Sequence, residues 1–163
     1  MSHNIKYSDE YLKNLKGGQL VHVLSANKDL VDKCNLNTLN SYHTAELLIV
    51  HKDFADKVNL NILNGWDLSN ILSVHPEIAD KYDFTKMCSL NLVEILCNHE
   101  KLAEKCNLNN LDGYDIVHLL RKCPKYASKC DFTKLNDWNR EYLLAERPEL
   151  EIYMKPAIKA IHG

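Results

Sequence analysis

The segment Asn35-Leu36-Asn37-Thr38-Leu39 recurs along the chain at a fixed interval of 24 residues. Its counterparts are Asn59-Leu60-Asn61-Ile62-Leu63, Asp83-Phe84-Thr85-Lys86-Met87, Asn107-Leu108-Asn109-Asn110-Leu111 and Asp131-Phe132-Thr133-Lys134-Leu135. No residue is inserted or deleted between any two of them. A fixed period of about 20–50 residues is typical of repeat architectures, so this segment decides the class of fold.

Three further sets of residues keep the same interval, and we call equivalent positions in successive repeats a column. They are the lysines Lys33, Lys57, Lys81, Lys105 and Lys129; the apolar pairs Val23-Leu24, Leu47-Leu48, Ile71-Leu72, Ile95-Leu96, Leu119-Leu120 and Leu143-Leu144; and an aromatic column of Tyr42, Trp66, Tyr114 and Trp138 that Leu90 interrupts. The pattern predicts one repeat domain over residues 1–163, with an N-terminal cap at 1–15, repeats at 16–152 and a C-terminal capping helix at 153–163.

The first part of each repeat has the pattern of a short amphipathic helix. In the third repeat, Leu68, Ile71 and Leu72 fall on one helical face. Asp67 is predicted to cap the helix N-terminus, because its carboxylate can accept from free backbone N–H groups.

The second part of each repeat is predicted to be another helix, followed by a turn. Pro76 ends the first helix and suits the first turn of the next, which is predicted from Glu77 to Tyr82. Helices shorter than about 12–15 residues are marginal in isolation, so each repeat must bury its apolar face against its neighbours. The sequence therefore predicts an all-α fold, an α-solenoid of about six 24-residue helix-helix-turn repeats.

The two ends of the array are predicted to be covered by apolar side chains. Tyr7 and Tyr11 would cover the first repeat. Ile158 and Ile161, on a short helix from Met154, would cover the last one.

The repeats also carry a recognisable consensus, which stands here as Leu119-Leu120, Pro124, Ala127 and Lys129-Cys130-Asp131. It resembles the pattern L-L-x-x-x-P-x-L-A-x-K-C-D of tandem repeats in uncharacterised bacterial and phage proteins. The unit is also similar to short α-solenoid repeats of the leucine-rich-variant and HEAT-like kinds. The resemblance covers nearly the whole chain and implies an α-solenoid, and it brings no assigned reaction with it.

Composition and charge narrow the classes of function. The 163 residues include 45% hydrophobic and 26% charged residues, which is typical of a globular protein. The formal net charge of -2 does not favour a dominant nucleic-acid partner. No apolar run is long enough for a transmembrane helix or a secretory signal, so we expect a cytoplasmic protein without a membrane partner.

The six cysteines are predicted to be reduced packing residues. Cys34, Cys106 and Cys130 share a column with Val58 and Tyr82, and a position that accepts Val and Tyr is an apolar packing site. Cys88, Cys97 and Cys123 lie in three different columns, which does not favour a shared metal site.

The histidine and lysine columns have structural interpretations. His51, His75 and His99 lie one repeat apart, too far to share one metal ion, and are predicted to hydrogen-bond carbonyls at the helix ends. The lysine column is predicted to stabilise helix C-termini and to be neutralised by the neighbouring carboxylates of Asp32, Asp56, Asp80 and Glu104.

No arrangement of residues in the sequence supports catalysis. The chain has no glycine-rich phosphate loop, no His-Glu-x-x-His and no Gly-x-Ser-x-Gly motif. We expect no enzyme activity, no cofactor, no metal and no small-molecule substrate. The hypothesis that the sequence supports least is a metal- or thiol-dependent enzyme that uses the histidine column and nearby cysteines.

Columns that vary between repeats on the outer face of the first helix are the predicted partner-binding positions. They comprise Glu46, Asn70, Glu94 and His118, together with Arg121, Lys122 and Lys125 of the basic repeat at 113–136. Ile49, Val50 and Val74 would add apolar contacts on that face. The repeat at 113–136 carries five Lys or Arg against two Asp, whereas the repeats at 65–88 and 89–112 are acidic, so the face is predicted to be polarised.

We therefore expect a non-enzymatic module that binds another protein or protein complex along one solenoid face. A specific form is a phage or mobile-element inhibitor that occludes a host nuclease or defence complex. The alternative is a nucleic-acid-binding solenoid that uses the lysine column and the basic 113–136 repeat.

Overall fold

The computed structural model describes residues 7–154, apart from the side chain of Lys86, and over this range the protein is all-α, with no β-strand. A six-residue helix is followed by ten-residue helices that begin every 24 residues. The helices are α1 (Asp9–Asn14), α2 (Gly17–Ala26), α3 (Ser41–Val50), α4 (Gly65–Val74), α5 (Ser89–Asn98), α6 (Gly113–Lys122) and α7 (Asp137–Glu146).

Short 3₁₀ helices fill the connections between these α-helices. One set directly follows each of α2 to α7: Lys28–Lys33, Lys52–Asp56, Pro76–Asp80, Glu100–Leu102, Pro124–Lys129 and Pro148–Leu150. The other set precedes α3 to α7: Leu36–Thr38, Leu60–Ile62, Phe84–Lys86, Leu108–Asn110 and Phe132–Lys134.

The predicted second helix of each repeat is therefore not an α-helix. Glu77 to Tyr82 was the expected range, whereas a 3₁₀ helix spans Pro76–Asp80. Its amides bond three residues back, with Ile78 N donating to His75 O at 3.1 Å and Lys81 N donating to Ile78 O at 3.0 Å. Short segments that connect longer α-helices commonly form this tighter helix.

Asparagine or aspartate residues cap most of the ten-residue helices. Asn40, Asn64, Asp112 and Asn136 each accept, through a side-chain oxygen, from the backbone N–H three residues on, at 2.8–2.9 Å. The prediction that Asp67 is the N-cap is wrong. Asp67 lies one turn inside the helix, is buried, and accepts from Asn64 Nδ2 at 2.9 Å and from the Ser41 hydroxyl. Asn64 precedes the helix and is therefore the residue that can cap it.

The chain forms two compact units, one ending at Asp83 and the other beginning at Phe84, and each is described by itself. In the N-terminal unit, α3 packs against α2 and α4. In the C-terminal unit, α6 packs against α5 and α7. The single repeat domain predicted over residues 1–163 stays a prediction.

The predicted apolar pairs form the core of both units. Both members of the pairs Val23-Leu24, Leu47-Leu48, Ile71-Leu72, Ile95-Leu96 and Leu119-Leu120 are buried. In the last pair, Leu143 is buried but Leu144 is half-buried.

The N-terminal cover differs from the prediction. Tyr7 and Tyr11 stack with ring centroids 5.5 Å apart, but Tyr11 is exposed and covers little. Leu12 and Leu15 are buried instead, because the helical turn of α1 directs them inward. At the other end, residues 151–154 are helical and Met154 is buried. Ile158 and Ile161 lie outside the described residues.

Replacement of Gly113 by alanine is expected to lower the free energy of unfolding by about 1–3 kcal/mol. A Cβ at Gly113 would lie 2.5 Å from the backbone oxygen of Lys134, which cannot rotate away, so the start of α6 must move away from the 3₁₀ helix Phe132–Lys134. Gly18→Ala is the matched control, because its Cβ would have only an ordinary contact, 3.7 Å from His43 Nε2. Urea unfolding measures both variants, and equal stabilities would contradict the close approach.

Candidate functional site

An exposed aromatic column marks the second residue of each ten-residue helix from α3 onward. We call Tyr42 and Trp66 in the N-terminal unit, and Leu90, Tyr114 and Trp138 in the C-terminal unit, the exposed aromatic column. Between 54% and 65% of each side chain is accessible to solvent. Large apolar side chains exposed at a regular interval are unusual on a surface without a partner, and Tyr and Trp are enriched where proteins bind each other.

The local structure explains why these side chains face outward. In α3, Thr44, Ala45, Leu47 and Leu48 are buried, and Tyr42 lies on the opposite side of the helix. The equivalent geometry recurs in each later helix, because each begins at the same position of its repeat. The column is visible in the sequence, but its exposure is not. The available signal was that Tyr42 lies four residues before Glu46, on the face already predicted to be exposed.

The predicted positions Glu46, Asn70, Glu94 and His118 lie one helical turn from the exposed aromatic column. In the N-terminal unit, the Tyr42 hydroxyl donates to Glu46 Oε1 at 2.9 Å, and Asn70 is exposed one turn after Trp66. In the C-terminal unit, His118 Nε2 is 3.0 Å from the Tyr114 hydroxyl. These positions and the aromatic side chains therefore form one surface within each unit.

The three predicted basic residues are paired with carboxylates. Arg121 Nε donates to Glu146 at 2.6 Å, and Lys125 Nζ donates to Glu100 at 2.5 Å. Lys122 Nζ is 3.9 Å from Glu94. The hydrogen bond from Arg121 lowers the pKa of Glu146, and the bond to Glu100 raises the pKa of Lys125. The excess positive charge of the 113–136 repeat is therefore neutralised by glutamates of other repeats.

Arg121 also contacts an aromatic side chain. Its guanidinium carbon lies 5.0 Å from the ring centroid of Tyr142, which stacks on Trp138 with the centroids 5.2 Å apart. A guanidinium group over a Tyr ring is an attractive cation–π arrangement. The C-terminal unit thus supplies its own cation to this part of its surface.

Lysines of the N-terminal unit join neighbouring repeats. Lys33 pairs with Asp9 at 2.8 Å, Lys57 pairs with Asp32, and Lys81 pairs with Asp56. Neutralisation by Asp32 and Asp56 was predicted from the sequence, but the carboxylate comes from the preceding repeat and not from the same one. Exposed pairs of this kind contribute about 0–1 kcal/mol each.

The histidine column also joins repeats. His51 Nε2 donates to Ser25 O at 3.1 Å, and His75 Nε2 donates to Ile49 O at 2.9 Å. In the same column, Arg147 Nη2 donates to Arg121 O at 2.5 Å. The prediction that His51 and His75 bond helix-end carbonyls is confirmed, and each acceptor lies 26 residues earlier, near the end of the preceding α-helix.

All six cysteines are free, and burial disfavours the thiolate form of four of them. Burial raises the pKa of Cys34, and it raises the pKa of Cys106 and of Cys130 to about 11. Burial and a hydrogen bond with Cys123 raise the pKa of Cys97. Thiols that stay protonated at neutral pH are poor nucleophiles and poor metal ligands. Among residues 7–154, no three His, Cys, Asp or Glu side chains converge as a metal site.

Comparison with known proteins gives no assignment. No protein-family model, no curated protein and no solved structure matches this chain. The described α-helices have at most ten residues, about 15 Å, so none in the range 7–154 can cross the roughly 30 Å hydrocarbon core of a bilayer.

Proposed function

We propose that the chain is an α-solenoid of about six 24-residue repeats that binds another protein and catalyses no reaction. The exposed aromatic column and the adjoining positions Glu46, Asn70, Glu94 and His118 form the proposed binding surface. The observation that carries the proposal is the regular exposure of large apolar side chains from helix to helix. Interfaces obtain most of their binding energy from a few Trp, Tyr and Arg side chains, and this column consists mostly of the first two.

The solenoid part of the proposal rests on the unbroken period. The 24-residue interval runs through the chain without an insertion, and the packing within each unit joins each ten-residue helix to the next one. The histidine and lysine contacts described above also connect residues 24–26 apart. A cytoplasmic location belongs to the proposal, as does the specific form of an inhibitor that occludes a host nuclease or defence complex.

Binding of nucleic acid is less well supported by the charges on the surface. Arg121, Lys122 and Lys125 lie beside carboxylates, so these three cations are not free to bind phosphates. Affinity for a nucleic acid would depend on such cations and on the release of counterions.

Quantitative affinity capture from the native host tests the proposed surface. The test is a fourfold variant with Tyr42→Ser, Trp66→Ser, Tyr114→Ser and Trp138→Ser. It is expected to retain less than a tenth of the protein partner captured by the wild type. A loss of about 1.4 kcal/mol of binding energy already raises the Kd tenfold. The matched control carries Asn37→Ser, Asn61→Ser and Asn109→Ser on the exposed 3₁₀ turns and is expected to capture as much as the wild type.

Three results of this experiment would contradict the proposal. Equal capture by the wild type and the aromatic variant would exclude the surface. Equal loss of captured partner in the aromatic variant and in the control would show that substitutions at any exposed positions reduce capture, and that the aromatic side chains have no special part in it. Capture that disappears after nuclease treatment would point to nucleic acid instead of protein.

A further inference from the structure

The exposed aromatic column in the N-terminal unit is accompanied by negative charge. Tyr42 and Trp66 are the second residues of α3 and α4, which pack against each other. The Tyr42 hydroxyl donates to Glu46, and the carboxylate of Asp67 is close enough to add to the raised pKa of Tyr42 that the Glu46 bond chiefly causes. A cation at this end of α3 and α4 would therefore meet exposed aromatic side chains and the carboxylate of Glu46.

The cations of this unit that form ion pairs are bound elsewhere. Each pairs with a carboxylate other than Glu46: Lys33 with Asp9, Lys52 with Glu77, Lys57 with Asp32, and Lys81 with Asp56. Among residues 7–83, no ammonium or guanidinium group lies over the ring of Tyr42 or Trp66. Within residues 7–83, consequently, no Lys or Arg side chain lies over these rings or forms an ion pair with Glu46.

The C-terminal unit contains the same combination with its cation in place. There Arg121 lies over the ring of Tyr142 and donates to the carboxylate of Glu146. Counted back in steps of 24 residues, Arg121 corresponds to Ile49 and Ser73 of the N-terminal unit, and neither carries a charge. By the same count, Tyr142 corresponds to Glu46 and Glu146 to Val50, so the C-terminal unit assembles its ring, carboxylate and cation from other columns of the repeat.

An apolar contact area lies at the other end of the same helices. Val50 and Val74 end α3 and α4 and are more than half exposed. Eight residues of α-helix separate Tyr42 from Val50, which is about 12 Å. An extended peptide covers that distance in about four residues at about 3.3 Å each.

We propose that Tyr42, Trp66 and Glu46 bind an arginine side chain of the partner protein, and that Val50 and Val74 contact an apolar residue about four positions from that arginine. This inference rests on the proposed function, because it names the chemistry that one part of the binding surface recognises. Arginine suits the site better than lysine, since its planar guanidinium group stacks on a ring and bonds a carboxylate at the same time. Trp also gives the strongest cation–π attraction of the aromatic side chains.

A titration with synthetic peptides, followed by NMR, tests the inference. The probe is acetyl-Leu-Ser-Ser-Ser-Arg-amide, and the matched peptides carry Gln or Glu in place of Arg. The indole N–H signal of Trp66 is expected to shift saturably with the Arg peptide, with a Kd below about 10 mM, and to shift at least tenfold less with the other two. Added NaCl is expected to weaken the binding, because the site is exposed to solvent.

Two variants and one internal reference complete the design. Glu46→Gln keeps the shape of the site and is expected to raise the Kd of the Arg peptide about fivefold. Trp66→Leu is expected to abolish binding of the Arg peptide, and the NMR signals of Tyr42 report on binding in this variant. The Trp138 indole is the reference and is expected not to respond, since Trp138 stacks on Tyr142 and Arg121 already lies over that ring. Circular dichroism checks that both variants fold, which their exposed and half-buried positions favour.

The inference is overturned if no saturable shift appears by about 10 mM, if the Arg and Gln peptides bind alike, or if Trp138 responds as strongly as Trp66. These results are distinguishable from failure of the proposed function. Loss of captured protein in the fourfold aromatic variant, together with no Arg binding, would leave the proposed function intact and remove only the arginine site.

Discussion

Replacement of Leu120 by alanine is expected to lower the free energy of unfolding by about 2–5 kcal/mol. Leu120 is fully buried in α6, which packs against both α5 and α7. The substitution removes buried apolar surface and leaves a cavity, and both effects act at two helix interfaces. Urea unfolding followed by circular dichroism at 222 nm measures the loss.

Leu144→Ala is the matched control for this prediction. Leu144 occupies the same column as Leu120, one repeat later, but it is only half-buried. Its replacement is expected to cost less than half as much, because less surface leaves the core. Equal losses of stability for the two variants would contradict the different burial of Leu120 and Leu144 in the structure.

Raising the pH from about 9 to about 11 is expected to remove about 1–3 kcal/mol of stability through Cys106 and Cys130, because both thiols are partly exposed and solvent screens part of the effect. Burial raises the pKa of each thiol to about 11, from an ordinary value of 9.0. Between these values the unfolded chain loses the two protons while the folded chain keeps them, so unfolding becomes more favourable as pH rises. Below about pH 9 both states keep the protons, and the thiols add no pH dependence.

The control for the pH dependence is the double variant Cys106→Val and Cys130→Val. Val58 stands in the same column, so valine fits the position. Lysines and tyrosines titrate in both proteins, and the difference between their stability curves isolates the two thiols. Urea unfolding at a series of pH values measures it; parallel curves between pH 9 and 11 would contradict the raised pKa values.

The parts of the fold that depend on helical periodicity were predictable from the sequence. Leu47, Leu48, Ile71 and Leu72 are buried as their spacing indicated, because an amphipathic helix has one face that must leave water. The hydrogen bonds of His51 and His75 to helix-end carbonyls were also predicted, because the histidines lie at helix ends, where carbonyls lack intrahelical partners.

Features that depend on a balance between two local structures were not predictable in the same way. The segment from Pro76 to Asp80 has an apolar pattern that fits either an α-helix or a 3₁₀ helix, and its place as a short connector between two α-helices favours the second. Asn64 and Asp67 are both good capping residues, and the helix start, which packing sets, decides between them.

The candidate site was predictable only in outline. The face carrying Glu46 and His118 was identified from its variation between repeats, but the aromatic side chains beside it were taken only as a mark of the repeat. Exposure of Trp66 or Trp138 is contrary to the usual preference of large apolar side chains, so composition alone does not indicate it. The ion pairs of Arg121 and Lys125 join residues 25 apart, and their partners could be chosen only once the packing of neighbouring repeats was known.

The central claim is that the chain is a series of equivalent 24-residue units. Deletion of one full period tests this claim most directly. Removal of residues 65–88 joins Asn64 to Ser89 and recreates the Asn-Ser start found at Asn40-Ser41, with every column still in register. Removal of only residues 65–76 takes out half as much chain but places each following column against the wrong neighbour.

The measurement is cooperative thermal unfolding of both deletion proteins, followed by circular dichroism. The account predicts that the 24-residue deletion keeps the helical signal per residue and a single sharp transition, whereas the 12-residue deletion loses both. A 24-residue deletion that does not fold, or a 12-residue deletion that folds equally well, would contradict the account.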